Sequence, residues 1–212
     1  HFAGNTNRGT VAQGDLLNIK TEFIVRSPVH VGSLRISVGE KDTLFRDPVI
    51  PYARMNWTSN QIVRQAITQP YWLVNPKETG HFVVKDPSKI GQAAPDPAMQ
   101  VTAQFTVEGE LLSVSRPVQE IVVDPVKGEF TQPITITPRS IFQINHPNIL
   151  LPKGSGENKS AEVSLKAMGN IAAGKVSVMN QDGKVLGTLD LPNGIAAGMS
   201  QNVSIQLREK EI

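Results

Sequence analysis

Short runs in which apolar and polar residues alternate recur along most of the 212-residue chain. Alternation with a period of two places every second side chain on one face of a β-strand, so each run predicts a half-buried strand. In the first half the clearest runs are residues 16–26 and 33–38. Their inward-facing residues would be Leu17, Ile19, Phe23 and Val25 in the first run, and Leu34, Ile36 and Val38 in the second. Residues 60–67 fit a strand or a short helix by period, and their β-branched residues favour a strand.

Residues 99–124 predict a β-hairpin. Two alternating runs flank Glu108-Gly109, a pair suited to a tight turn, and Arg116-Pro117 predicts a kink in the second arm. Between this hairpin and the earlier strands lies a stretch of about residues 68–98 that carries five prolines. A loop of that length is functional or folded onto its domain, so we expect a long irregular insertion.

Strand signals restart after residues 124–130, a polar stretch that contains Pro125 and Gly128. They continue with alternating runs at residues 133–138, 141–145, 162–168, 175–180, 184–191 and 202–209. Asp182-Gly183 separates two of these runs and is typical of a tight hairpin turn. We therefore predict a first domain over residues 1–125 and a second over residues 126–212.

The predicted fold class is all-β, with two tandem Ig-like or fibronectin-like antiparallel β-sandwich domains. A chain of this length fits one large domain or two of about 100 residues each. The apolar content of 39% suits thin sandwiches, in which alternate strand residues face water. The second run of strands fits a small sandwich of about seven strands, without the Cys-Trp-Cys core of antibody domains.

Charge and cysteine content restrict the classes of function. Lys plus Arg total 21 against 19 Asp plus Glu, with no basic block, so nucleic acid is not an expected partner. No apolar run approaches the roughly 20 residues of a membrane span, and the first residues lack the pattern of a signal peptide. The start at His1 suggests a processed or excised fragment. The absence of cysteine excludes thiol catalysis and fits an exported bacterial protein, in the periplasm or at the cell surface.

No catalytic residue, metal site or cofactor is predicted. Residues 145–148 read Asn-His-Pro-Asn, and a His-Pro pair belongs to a metal-binding signature of one deacetylase family. That signature needs two carboxylates directly after the pair, and Asn148 and Ile149 stand there instead. The other histidines, His1, His30 and His81, lack metal-ligand spacing. There is also no G-x-S-x-G elbow or phosphate-binding glycine loop.

The aromatic residues Trp57, Tyr71 and Trp72 are the candidate carbohydrate-binding residues, because exposed aromatic faces stack on sugar rings. Packing is the competing interpretation and is favoured for all three residues. In an extended segment adjacent side chains point in opposite directions, so Tyr71 and Trp72 are not expected to form one flat platform.

Five motifs occur in order along the first part of the chain: VAQGD (11–15), QPYWL (69–73), GHFVVKD (80–86), Ile90-Gly91 and DPVKGE (124–129). Over about residues 10–130 the chain resembles the C-terminal, β-rich region of large exported PIG-L/LmbE-type deacetylases. The match is imperfect at Gln13, where that family usually has proline.

The resemblance implies a parent enzyme that removes an N-acetyl group from a glucosamine-like sugar with zinc. In that family a separate α/β domain with a His-Pro-Asp-Asp motif does the chemistry, and this chain contains no such motif. The chain is therefore expected to be a noncatalytic accessory region that acts as a scaffold or as a glycan-contacting arm, with the catalytic domain of the parent chain and glycan as partners. The alternatives are a stand-alone carbohydrate-binding module that uses Trp57, Tyr71 or Trp72 and, least favoured, an independent hydrolase.

Overall fold

The computed structural model describes residues 1–146 and 159–207, and these are mostly β-strand. Within them, helix is confined to two single-turn 3-10 segments, Tyr71–Leu73 and Pro87–Lys89. This confirms the prediction of an all-β chain. The chain divides into two compact units, His1–Thr137 and Pro138–Ile212.

Unit 1 contains ten strands, most of which join one large sheet. Their bounds are β1 (Phe2–Thr6), β2 (Thr10–Ala12), β3 (Leu16–Ile24), β4 (Val31–Val38), β5 (Lys41–Phe45), β6 (Arg54–Ile62), β7 (Gln100–Val107), β8 (Glu110–Asp124), β9 (Gly128–Pro133) and β10 (Thr135–Thr137). The sheet order is β5-β4-β7-β8-β1-β3-β6, and β9 also pairs with β8. Strands β2 and β10 form a separate two-stranded sheet.

Strand β8 changes partners near its middle. Its first part pairs with β7 as far as Gln100↔Pro117, and from Val118 onward it pairs with β1 and β9. Because proline has no backbone N–H to donate, Pro117 suits the position where one ladder ends and another begins. The expected kink is thus a switch between partners in one continuous strand.

Not all strand pairs are antiparallel. The β1/β8 and β2/β10 pairs are parallel, which differs from the purely antiparallel sheets expected from the sequence. Parallel strands need a long connection, and each of these pairs joins strands far apart in the chain. The sequence pattern shows local alternation and carries no information on such distant pairing.

The two ends of the large sheet come together. Gln61 on β6 donates from Nε2 to the Val38 carbonyl oxygen at 2.8 Å, and Lys41 Nζ donates to the Asn60 carbonyl oxygen at 2.6 Å. The sheet therefore bends around a single core in a sandwich-like arrangement. Fully buried members of this core include Val11, Leu17, Ile19, Leu34, Ile36, Val38, Val63, Val101, Ala103 and Ile136.

Replacing Gln61 with Leu is expected to lower the free energy of unfolding of unit 1 by about 1.5 kcal/mol, because the buried Val38 carbonyl oxygen and Ser59 hydroxyl lose their hydrogen-bond donor. Gln61 is 7% exposed, and its amide nitrogen also donates to Ser59 Oγ at 2.8 Å. Urea titration followed by circular dichroism measures the change. The control is Asn60→Ala, whose side chain is exposed and should cost at most about 0.5 kcal/mol. Equal stability of the two variants would contradict this role for Gln61.

The inward-facing residues predicted for residues 16–26 and 33–38 are confirmed as core residues. Strands β1, β2, β5 and β9 were not predicted. Of the strand predicted over residues 60–67, only residues 60–62 are strand, as the end of β6, which begins earlier at Arg54. The irregular insertion extends over residues 63–99, called here the long loop. Residues 126–137, predicted to open the second domain, lie in unit 1 because β9 pairs with β8 and β10 pairs with β2.

Unit 2 has five strands among its described residues, against about seven predicted. They are β11 (Ser140–Ile144), β12 (Lys159–Ala167), β13 (Gly174–Met179), β14 (Val185–Leu191) and β15 (Ser200–Leu207). One sheet has the order β11-β12-β15, and β13 pairs with β14, all antiparallel. Gly183, with φ +81°, lies in the β13–β14 turn as predicted. Residues 208–209 of the last predicted strand lie outside the described residues.

Candidate functional site

The long loop is fastened to the body of unit 1 near its start. Thr68 donates its backbone N–H to the Ile136 carbonyl oxygen at 2.9 Å and accepts the Ile136 N–H at its Oγ1 at 3.0 Å. Gln13 Nε2 donates to the Gln65 carbonyl oxygen at 2.8 Å. Thr68 thus bonds the backbone of strand β10 as a neighbouring strand would, and the residues that follow Thr68 start from a fixed position.

A surface cleft of about 380 Å³ lies within the long loop. We call it the Tyr71 cleft, and its polar lining residues are Gln65, Thr68, Gln69, Tyr71, Lys89, Gln92 and Asp96. Apolar surface comes from Ile67, Val74 and two prolines. A mainly apolar cleft with a few polar groups is the usual character of a small-molecule site, and amide and hydroxyl groups can hydrogen-bond to sugar hydroxyls.

Tyr71 and Trp72 lie together in the first 3-10 turn. Their ring centroids are 4.9 Å apart and the planes meet at 88°, so one ring edge packs on the other ring's face. The Tyr71 hydroxyl accepts a hydrogen bond from the Gly91 backbone N–H at 3.3 Å. The two rings do not form a flat platform, but the expected reason was wrong, because the segment is a helical turn and not extended.

The two aromatic residues have different surroundings. Tyr71 lines the cleft, whereas Trp72 is not among the lining residues and contacts the Tyr71 ring, and both are half-buried. A hydroxyl held by Gly91 and a ring held by Trp72 restrict the orientation of Tyr71. A restricted aromatic side chain loses little entropy when it binds a ligand.

Lys89 and Asp96 form the charged pair of the cleft, with Nζ 2.7 Å from Oδ2. The hydrogen bond and the charge of Asp96 raise the pKa of Lys89. Next to this pair, Asp86 caps the second 3-10 turn and accepts from the hydroxyl and the backbone N–H of Ser88. These two bonds, with a smaller effect of Lys89, lower the pKa of Asp86.

Trp57 does not line the Tyr71 cleft. It lies on β6, half-buried, and packs against the core of unit 1. Its carbonyl oxygen accepts from the buried Thr21 hydroxyl at 3.0 Å. The structure thus brings together two of the three candidate aromatic residues and gives Trp57 the contacts of a packing residue.

The described residues contain no cluster of three or more His, Asp or Glu side chains that could hold a metal ion. His146 is exposed, whereas Pro147 and Asn148 of the same motif lie outside the described residues. Within residues 1–146 and 159–207, no helix has the length and apolar character needed to cross a membrane.

Sequence reasoning missed Lys89, Gln92 and Asp96 as cleft residues. Each is an ordinary polar residue of a proline-containing loop, and the Lys89–Asp96 pair forms only when that loop folds back on itself. The one signal available was the number of prolines, which indicated a shaped loop but not which side chains it brings together.

The motifs that carry the family resemblance occupy defined places in unit 1. The first 3-10 turn is formed by the last three residues of QPYWL (69–73), and GHFVVKD (80–86) ends at Asp86, the cap of the second turn. DPVKGE (124–129) makes the β8–β9 turn, where Asp124 Oδ1 accepts from the Lys127 and Val126 backbone N–H groups, both at 2.8 Å. These two bonds lower the pKa of Asp124. No protein-family model matches the chain, and a search of curated proteins finds no matching sequence.

Proposed function

We propose that this chain is a noncatalytic accessory region of a zinc-dependent PIG-L/LmbE-like sugar N-deacetylase, and that it contacts glycan through the Tyr71 cleft. The observation that carries the proposal is the position of QPYWL, the most distinctive motif of the resemblance. It supplies both the lining residue Tyr71 and the ring that supports it. The parent protein would be exported, to the periplasm or the cell surface, where its glycan substrates occur.

The tandem Ig-like or fibronectin-like sandwich architecture is part of the same proposal. In unit 2, buried residues of β12 and β15 pack against half-buried residues of β13 and β14, as the two sheets of a sandwich do. Buried Val163 and Val203 face half-buried Val178 and Leu189 in this cluster. In unit 1, the bent sheet encloses its own core in a comparable way.

Binding of N-acetylglucosamine and glucosamine trisaccharides to this chain tests the cleft. We expect Tyr71→Ala to weaken binding at least about tenfold, because the loss of about 1.4 kcal/mol of contact energy has that effect. Tyr71→Phe, which keeps the ring and loses the hydroxyl, should weaken it less. Isothermal titration calorimetry measures both affinities, and circular dichroism checks that each variant is folded.

Trp72→Ala tests whether Trp72 acts by packing or by direct sugar binding, because Trp72 supports Tyr71 without lining the cleft. We expect a lower free energy of unfolding together with weaker sugar binding. Trp57→Phe is the control, and it should alter stability and leave sugar affinity unchanged. Lost sugar affinity at unchanged stability in Trp72→Ala would show that Trp72 touches the sugar directly, against our interpretation.

A stand-alone carbohydrate-binding module is the second candidate function. It is favoured by one observation, that every lining residue of the Tyr71 cleft in the described part of the chain comes from unit 1. The coding sequence upstream of His1 distinguishes the two candidates. A His-Pro-Asp-Asp motif there would support the accessory region, and its absence would support the module. Failure to bind any polysaccharide on a glycan array would contradict both the module and the proposed glycan contact through the Tyr71 cleft, and would leave a scaffold role for the accessory region.

An independent hydrolase remains the least favoured function. Its test is release of acetate from N-acetylglucosamine by this chain with added zinc. Turnover above that of a zinc-only control would contradict the proposal of a noncatalytic region.

A further inference from the structure

A second pocket in unit 1, of about 300 Å³, has a different character from the Tyr71 cleft. Three aromatic rings line it, those of Phe2, Phe23 and Phe105, and we call it the phenylalanine pocket. The Phe23 ring packs edge-on against both others, with centroid distances of 6.1 Å to Phe2 and 5.1 Å to Phe105. Valines from neighbouring strands, including Val31 and Val114, complete the apolar wall. Transfer of a ligand's apolar atoms from water to this surface would lower the free energy of the system.

The charged groups that line the phenylalanine pocket are basic. Arg26 and Arg116 are both exposed lining residues, and none of the carboxylates among the described residues lines the pocket. Neither guanidinium forms an ion pair within the described residues, and Arg116 has only a 3.4 Å bond to the Ser115 carbonyl oxygen. His1, the remaining titratable residue of the lining, lies 3.6 Å from Glu22, which also pairs with Arg54.

The backbone beside the pocket holds an unusual conformation. Tyr52 has φ +67°, in the left-handed region that bulky residues rarely adopt, and its N–H donates to the Val25 carbonyl oxygen at 2.8 Å. Val25 lines the pocket. Conformations of this kind are costly and are retained where the surrounding structure holds them, often at binding sites. Tyr52 is itself 65% exposed, so burial of its ring does not account for the conformation.

We propose that the phenylalanine pocket binds a small amphiphile that carries one anionic group, of the medium-chain carboxylate type. The alkyl chain would lie against the three phenylalanine rings, and the carboxylate would meet Arg26 and Arg116. Guanidinium groups bind carboxylates through paired, charge-assisted hydrogen bonds, and unpaired arginines at the mouth of an apolar pocket complement a negative head group. This site is separate from the Tyr71 cleft and does not rest on its function.

Three ligands with the same chain and different head groups test the proposal: decanoate and decyltrimethylammonium, each below its micelle concentration, and decanol below its solubility limit. Calorimetry should show decanoate binding about tenfold more tightly than decanol, and the cation binding more weakly than either. Arg26→Gln and Arg116→Gln should each weaken decanoate about fivefold and leave decanol unchanged. Arg46→Gln is the matched control, since Arg46 is exposed in the same unit and does not line the pocket.

Two further variants test the location. Val114→Trp should fill the pocket and abolish binding of both decanoate and decanol, and Val107→Phe serves if that variant does not fold. Decanoate binding that survives a folded pocket-filling variant would overturn the assignment to this pocket. Equal affinity for the three head groups, no effect of the arginine substitutions, or no binding of decanoate would overturn the proposed recognition of an anion.

Discussion

Replacing Gly194 with Ala is expected to lower the free energy of unfolding of unit 2 by roughly 3–5 kcal/mol. Gly194 has φ +70°, a conformation that costs other residues about 1–2 kcal/mol. An added Cβ would also overlap the Ile171 carbonyl oxygen and approach Ala172. That oxygen accepts the Ile195 N–H at 3.0 Å, in a bridge beside the buried Ile195 side chain, so the overlap cannot be relieved without breaking the bridge.

Gly198→Ala provides the matched control for this prediction. Gly198 has φ +85°, but an added Cβ would meet no atom of the described residues within 4 Å, so only the conformational cost of about 1–2 kcal/mol applies. Amide hydrogen exchange of Ile171 and Ile195 reports on unit 2 alone, which matters because a chain with two units need not unfold in one step. Equal loss of protection in the two variants would show that the Ile171 carbonyl oxygen does not confine Gly194.

Strands with a regular apolar face were predictable, whereas those without one were not. Leu34, Ile36 and Val38 on β4 alternate with polar residues and are all fully buried. Strand β5, Lys41–Phe45, has no buried residue and lies at the edge of the sheet, so its sequence shows little alternation. Strand β1 includes Gly4 and Asn5, which have low strand preference, and it forms through its pairing with β3 and β8.

The position of the domain boundary shows how a turn can resemble a linker. Residues 124–130 combine Pro, Gly and charged residues, as linkers do, but they contain the tight β8–β9 turn at residues 125–127 and the start of β9. Asp124 organises that turn by accepting two backbone N–H groups, and Gly128 follows with φ +77°. Composition alone does not distinguish the two cases, because both require exposed polar residues and freedom of the backbone.

The candidate site was predictable only in part, because the fold of the long loop brings its residues together and no sequence pattern does. The aromatic pair Tyr71-Trp72 was recognisable because two large rings in a loop are uncommon. Its geometry was not, because the 3-10 turn after Pro70 depends on a loop anchored at Thr68 by strand β10. Lys89 and Asp96 meet through the fold of the loop itself, and no periodic pattern connects them.

Replacing Gly4 with Ala is expected to lower the free energy of unfolding of unit 1 by about 3 kcal/mol, the upper range for overpacking a core. An added Cβ would lie 2.6 Å from Cγ1 and 2.7 Å from Cγ2 of Val101. Val101 is fully buried on β7, so its side chain has little room to move. Denaturant titration, monitored by hydrogen exchange of amides in β3 and β7, measures the loss of unfolding free energy in unit 1.

A second substitution tests whether this contact is the cause. Val101→Ala removes both clashing methyl groups and alone should destabilise unit 1, because it leaves a cavity in the core. In the Gly4→Ala/Val101→Ala double variant the new methyl occupies part of that cavity. The loss of stability in the double variant should therefore be smaller than the sum of the two single losses by at least about 1 kcal/mol. Additive losses would mean that β1 does not lie against Val101. The cycle therefore tests a strand that the sequence did not predict, and with it the parallel β1/β8 pair that completes the sheet around the core.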